Sequence, residues 1–285
     1  MRLRFWGVRG SIPVPGAETS RYGGNTSCVE IFEDGCPTLV FDCGTGARPL
    51  GRELVGRPER AVHVVFTHFH MDHLFGFPFF APLYTPAFAV SVTAPMFTGD
   101  ATRERVSRYL NGVFHPLRLA DIPAELEFLA VRPREPFQRG PYAIRSETLN
   151  HPGGSYGYRV EKGGKVVCYV TDTAPLTRPG EGLAGGGKPT ARERQLVELL
   201  RGADAVVFDT MFTHEAYLER MTWGHAYPEY AVALCVAADV RTLYLFHHAP
   251  EATDDELDAL AERWASATHP TVKVAREGEI VDLEG

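Results

Sequence analysis

The chain is short of cysteine, of positive charge and of long apolar runs, and each shortage removes a class of protein. Its five cysteines, Cys28, Cys36, Cys43, Cys168 and Cys235, are odd in number and lack paired metal-ligand spacing. No disulfide framework is implied, and reduced thiols in a cytoplasmic protein are expected. Lysine and arginine total 29 against 36 aspartates and glutamates, a formal net charge of -7. A broadly basic surface for nucleic acid is therefore not expected. No run approaches the roughly 18 apolar residues of a membrane span. The opening MRLRFWGVRGS lacks the apolar core of a secretory signal, so neither secretion nor a membrane partner is expected. With no break in composition and no repeat at a fixed period, residues 1–285 read as one domain.

What is present is a succession of short, β-branched apolar runs: RLRFW, SCVEIF, TLVFD, AVHVVF, AVSVTA, LEFLAV, KVVCYVTD, AVVFD and TLYLF. Their length and composition predict strands. Helical character marks GARPLGRELVG, DATRERVSRYL, TARERQLVELL, YPEYAVALCVAA and TDDELDALAERWA, the last opening with the Thr253 and Glu256 spacing of a capping box. Strands cluster first and then alternate with helices, which predicts sheets covered by helices on their outer faces, an α/β protein. Residues 177 to 189, TRPGEGLAGGGKP, are too rich in glycine and proline for helix or strand and form a candidate mobile flap.

One stretch is chemically unusual. VVFTHFHMDHLFGF sets His68, His70, Asp72 and His73 at the end of a predicted strand. Crowded imidazoles gain nothing from one another, and a metal ion explains them directly. Alternation along the strand turns His68 and His70 the same way, with Asp72 and His73 on the following turn, so two ligand pairs serve two neighbouring positions. Later strand ends supply more ligands: His151 after SETLN, Asp172 after VVCYVT, and His247 or His248 after TLYLF. A carboxylate can bridge two cations, so Asp172 is the expected bridge. Asp42, ending TLVFD, suits a partner that orients a ligand histidine.

With these residues in this order the chain resembles a metallo-β-lactamase-fold hydrolase. The resemblance implies an αββα sandwich, two packed mixed β-sheets with helices on the outer faces. It also implies two divalent metal ions at one edge, zinc by preference, with manganese or iron compatible with the same ligands. His68, His70, His151 and Asp172 would hold the first ion; Asp72, His73, His247 and Asp172 the second. The family ligand follows its strand immediately, which selects His247 and leaves His248 as a group for substrate. Two cations sharing a carboxylate make hydroxide from a bridging water near neutral pH, so no serine or cysteine nucleophile is needed.

The electrophile is suggested by VVFDTMFTHEAYLERMTWGHAYPEY, where Asp209 ends a strand and His225 opens a helix. If they meet, Asp209 fixes the tautomer of His225, which can then give a proton to a leaving alkoxide. Asp72, Asp209 and His225 are the expected catalytic residues. The strand-end acid with Gly-His before a helix resembles the phosphodiesterase branch of the fold, which includes ribonuclease Z and bacterial cyclic-nucleotide phosphodiesterases. Two departures, Gly-His-Ala-Tyr in place of Gly-His-Ser-Thr and the lack of a long basic, Gly-rich insertion, turn the expectation from tRNA to a small or cyclic phosphodiester such as a cyclic nucleotide. The opening WGVRGSIPVPG and RYGGNTS offers donors suited to phosphate, and Arg9 and Asn25 are the expected substrate contacts. A homodimer is plausible from the resemblance. The competing enzyme class is thioester or lactone hydrolysis of the glyoxalase II type, which shares the metal ligands and does not need Asp209 with His225.

Overall fold

The computed structural model describes residues 1–283. The first sheet holds β1 (Arg2–Gly7), β2 (Cys28–Phe32), β3 (Thr38–Phe41), β4 (Ala61–Val65), β5 (Ala89–Ala94) and β6 (Glu125–Ala130). The second holds β7 (Phe137–Arg139), β8 (Tyr142–Thr148), β9 (Tyr156–Lys162), β10 (Lys165–Val170), β11 (Ala205–Asp209), β12 (Thr242–Phe246) and β13 (Thr271–Val274). Strand β14 (Ile280–Asp282) returns to the free edge of β1, so each sheet has seven strands.

Both sheets are mixed in the same way. From β1 to β3 neighbours run antiparallel, and from β3 to β6 they run parallel. In the second sheet β7 to β10 are antiparallel and β10 to β13 parallel. Parallel neighbours require crossovers, and the intervening helices supply them. Helices α1 (Ala47–Gly56) and α2 (Gly99–Ser107) follow strands of the first sheet; α3 (Ala191–Leu200), α4 (His214–Glu219), α5 (Pro228–Ala237) and α6 (Asp254–Trp264) follow strands of the second.

Three buried clusters make four layers. Phe5, Phe41, Tyr158, Tyr169 and Phe246 lie between the sheets; Leu50, Leu54 and Val106 seat α1 and α2 on one outer face; Leu196, Leu200, Leu234 and Leu257 seat α3, α5 and α6 on the other. The architecture is the expected αββα sandwich. The cap read from sequence is made: Thr253 and Glu256 form a reciprocal box at the start of α6, and the structure adds a second between Thr190 and Glu193 at the start of α3.

Residues 177–189 are turns, as their composition requires. They are nonetheless tied down: the Leu183 amide donates to the buried Glu193 carboxylate, and Leu183 packs on the core. Strands β7 and β9 were not foreseen, β9 because YGYRVEK mixes charge and glycine into its seven residues; nor were the short α4, β13 and β14. Each of these last three is six residues or fewer, too short for a period to show.

Candidate functional site

Parallel strands end at one edge, and here that edge carries the chemistry. Asp42 follows β3, His68 lies just beyond β4, Asp172 just beyond β10, Asp209 closes β11, and His247 follows β12. Asp42, Asp172 and His247 take the left-handed conformation, with φ of 57°, 58° and 62°. For residues with a Cβ this conformation is costly and persists only where the surroundings hold it. It turns each side chain off its strand and into the space between the sheets.

Among the described residues, three groups of ligating atoms result, each within 4.8 Å of one another; one, Asp172, Asp209, His225 and His247, overlaps the two that match the expected ligand sets, His68, His70, His151 and Asp172, and Asp72, His73, Asp172 and His247. Asp172 belongs to both, and its two oxygens are divided between them. Oδ2 lies 3.6 Å from His68 Nε2 and 3.5 Å from His151 Nε2; Oδ1 lies 3.0 Å from His73 Nε2 and 3.1 Å from His247 Nε2. Asp72 Oδ2 completes the second group at 3.3 Å from both His73 and His247. His70 is the exposed member, its Nδ1 3.0 Å from His151 Nε2.

The outer contacts fix which ring nitrogens face inward. His73 Nδ1 donates to Asp42 at 2.8 Å, and Asp42 also accepts from the Thr67 amide and the Tyr169 hydroxyl. His151 Nδ1 donates to the Gly224 carbonyl at 2.9 Å. The Ser11 amide donates to Asp72 Oδ2 at 2.8 Å, a backbone contact that no residue-type pattern announces. Gly224 sits at φ 91°, and a Cβ there would come within 2.4 Å of His151 Nδ1. Glycine is thus required for the turn to close on the site.

The electrostatics suit a cation. Burial opposes charge on Asp172, yet His247, His73 and His68 around it hold its carboxyl well below the usual range. Burial likewise opposes a charged His73, and the carboxylates of Asp172, Asp72 and Asp42 overcome it and raise the ring well above its ordinary value. Three carboxylates thus draw a positive charge to this point. Nε2 of His68, His73 and His247 is buried without a hydrogen-bond partner, which fits nitrogen lone pairs directed at a metal. The donor set, histidine and aspartate, fits divalent metal ions and does not single out one element.

Asp209 and His225 meet beside these groups. His225 Nδ1 donates to Asp209 Oδ2 at 2.9 Å, and Asp209 is itself fixed by the amides of Thr173 and Met211. Burial disfavours the charged ring, but Asp209, Asp172 and Asp72 outweigh it and His225 is pushed up to about 9. Its ring stacks on His247 with centroids 5.0 Å apart.

Three expected substrate contacts are corrected. Arg9 is fully buried; its guanidinium donates to the carbonyls of Gly23, Ala249 and Ala252 and binds the N-terminal loop to the segment after β12. Asn25 is occupied by Glu277 and Thr45, and its carbonyl accepts from the amides of Val8 and Arg9. His248 points away from the cluster, donating Nε2 to the Ala275 carbonyl, and burial depresses it to about 3. Arg9 spends Nε and Nη1 on backbone carbonyls and keeps Nη2 buried without a partner, while Asn25 and His248 bond to backbone or neighbouring side chains. Gly153 to Gly157 has the Gly-x-Ser-x-Gly spacing of a nucleophile elbow, but Ser155 is buried and its hydroxyl donates to the Asp172 carbonyl. It supports the ligand loop.

Residues 38–248 match the model of the β-lactamase superfamily domain. Ribonuclease Z of Enterococcus faecalis is 21% identical over 99% of this chain and 97% of its own length. Among solved structures, the metallo-β-lactamase fold protein YhfI of Bacillus subtilis superposes with a TM-score of 0.68 at 19% identity, covering 98% of both chains. A diphosphatase of the PhnP family gives 0.65 at 20% identity, covering 99% of this chain and 97% of its own. The expectation that nucleic acid is an unlikely partner finds no support here, since a full-length relative is a ribonuclease. Among the described residues, no helix is long and apolar enough to cross a membrane.

Proposed function

Because the chain belongs to the β-lactamase superfamily and is a metal-dependent hydrolase of the metallo-β-lactamase fold, we propose that it is a phosphodiesterase acting on a small or cyclic phosphodiester. His68, His70, His151 and Asp172 would hold one divalent ion, and Asp72, His73, His247 and Asp172 the other, the two oxygens of Asp172 being shared between them. When bound, the ions supply activated water and stabilise charge growing on a phosphoryl oxygen.

The observation that carries the phosphodiester reading is the 2.9 Å bond between Asp209 and His225 at the margin of the ligand cluster. A carboxylate on Nδ1 leaves the proton on Nε2 free to be donated. An alkoxide leaving from phosphorus is strongly basic and needs that proton, whereas a thiolate leaving from a thioester does not. Asp209 orients the ring and favours its charged form; His225 delivers the proton at Nε2. Asp42 does for His73 what Asp209 does for His225, fixing the ring by its Nδ1 hydrogen.

His225→Ala tests this directly. On a diester with an alkoxide leaving group turnover should fall roughly 10²-fold, the scale of a general acid. On bis(p-nitrophenyl) phosphate, whose leaving group is a weak base, the loss should be much smaller, with metal content unchanged. Equal losses on both substrates would remove His225 from proton delivery. A zinc pair, a homodimer and a cytoplasmic location complete the proposal. Metal analysis and sedimentation test the first two, and a structured tRNA precursor belongs in the substrate panel because of the ribonuclease relative.

A further inference from the structure

Trp223 stands immediately before Gly224 and His225 and keeps 60% of its surface exposed. The other two tryptophans differ: Trp6 is buried with Nε1 bonded to Glu30, and Trp264 is half-buried against α5 and the core. The segment that carries Trp223 is anchored at several points. Its amide donates to the Arg220 carbonyl, the Gly224 carbonyl accepts from His151, and the Phe212 amide donates to the Ala226 carbonyl. The main chain that carries the indole is therefore anchored rather than a free loop.

Two edge-on ring contacts link His225 to Trp223 through Phe212. Phe212 meets His225 edge-on with centroids 5.8 Å apart, and Trp223 meets Phe212 edge-on at 6.2 Å. The Arg220 guanidinium lies 5.8 Å from the centre of the Trp223 ring and 6.0 Å from that of Phe212. An aromatic series that starts at the proton donor and ends in an open indole beside a guanidinium is suited to a planar, electron-rich group. Because His225 and Trp223 both contact Phe212, with centroids 5.8 Å and 6.2 Å away, a group on the indole can belong to the same small molecule whose ester oxygen meets His225.

We propose that Trp223, flanked by Arg220, is a specificity-determining shelf that stacks the base of a nucleotide-type phosphodiester. This rests on the phosphodiesterase reading and names the substrate class for it. Stacking reads the π face, which every base has, so the shelf selects for the presence of a base more than for its identity.

The test compares adenosine 2′,3′-cyclic phosphate with the same cyclic phosphate on 1-O-methylribose, using the metal-loaded full chain, with bis(p-nitrophenyl) phosphate as a control for phosphodiesterase activity. Wild type should prefer the nucleoside substrate. Trp223→Ala should raise its KM about tenfold, the scale of one base stack, with kcat and the methylribose substrate little changed. Trp223→Phe should restore most of the preference, which a merely structural role would not explain. Hydrolysis of bis(p-nitrophenyl) phosphate without any preference for the base, or equal effects of Trp223→Ala on both cyclic substrates, overturns the shelf alone. No hydrolysis of any phosphodiester overturns the phosphodiesterase reading and the shelf together.

Discussion

Asp172 does more than any other single residue to define the site, because one carboxylate faces both ligand groups, 3.0 Å and 3.1 Å from two rings through Oδ1 and 3.5 Å and 3.6 Å from two more through Oδ2. A bridging part was readable in the sequence because only a carboxylate has two ligating oxygens and Asp172 follows a strand between His151 and the last histidines; Asp209 ends a strand in the same interval, and its Gly-His partner set it apart. Arg9, Asn25 and His248 show the opposite case. A polar side chain in a Gly-rich segment reads the same whether it meets phosphate or a backbone carbonyl, and the carbonyls belong to residues far off in sequence. Arg9→Met should therefore act on stability. It leaves three partly buried carbonyls without a donor and should cost about 3 kcal/mol, with KM for a phosphodiester unchanged. A urea titration beside a kinetic series checks this, and a raised KM without a loss of stability would return Arg9 to the substrate.

At the scale of elements, the parallel halves of the two sheets explain why ligands distant in sequence converge: β3, β4, β10, β11 and β12 all end at the same edge. The runs that make these strands were readable because they are buried on both faces and hence continuously apolar, as AVVFD shows. The turns after them were less readable. Glycine in the N-terminal loop suggested room for phosphate, whereas a Cβ at Gly10 would lie 2.5 Å from the His247 ring. Glycine at 10 is there to let the loop press against a ligand. Gly224 has the same function toward His151, in a conformation that alanine adopts at a cost of about 1 kcal/mol or more. Gly224→Ala should displace His151, lower metal occupancy and reduce turnover by at least about tenfold, while the far-ultraviolet dichroism of the sheets persists. Full metal content in this variant would contradict the role assigned to the turn.

For the whole molecule, the cluster lies between two sheets whose shared core is otherwise aromatic and aliphatic. Asp42, Asp72 and Asp172 are buried together there, beside histidines that offset part of their charge. Metal should therefore stabilise the fold as well as equip the site. At a concentration about a thousandfold above its dissociation constant, a bound ion contributes about 4 kcal/mol. Chelation should lower Tm by roughly 8–16 °C on that basis, and an unchanged Tm after complete metal removal would show that the carboxylates are balanced without cations. The small net negative charge of the chain, which first argued against a nucleic-acid partner, describes the average surface and says little about one edge.

On the proposed reading, this site directs activated water to phosphodiesters. The most direct measurement is kcat/KM of the metal-loaded enzyme for a cyclic nucleotide and bis(p-nitrophenyl) phosphate against that for a glutathione thioester, at one pH and one metal content. The account predicts hydrolysis of the phosphodiesters with little or no thioesterase activity. Exclusive hydrolysis of the thioester would contradict it.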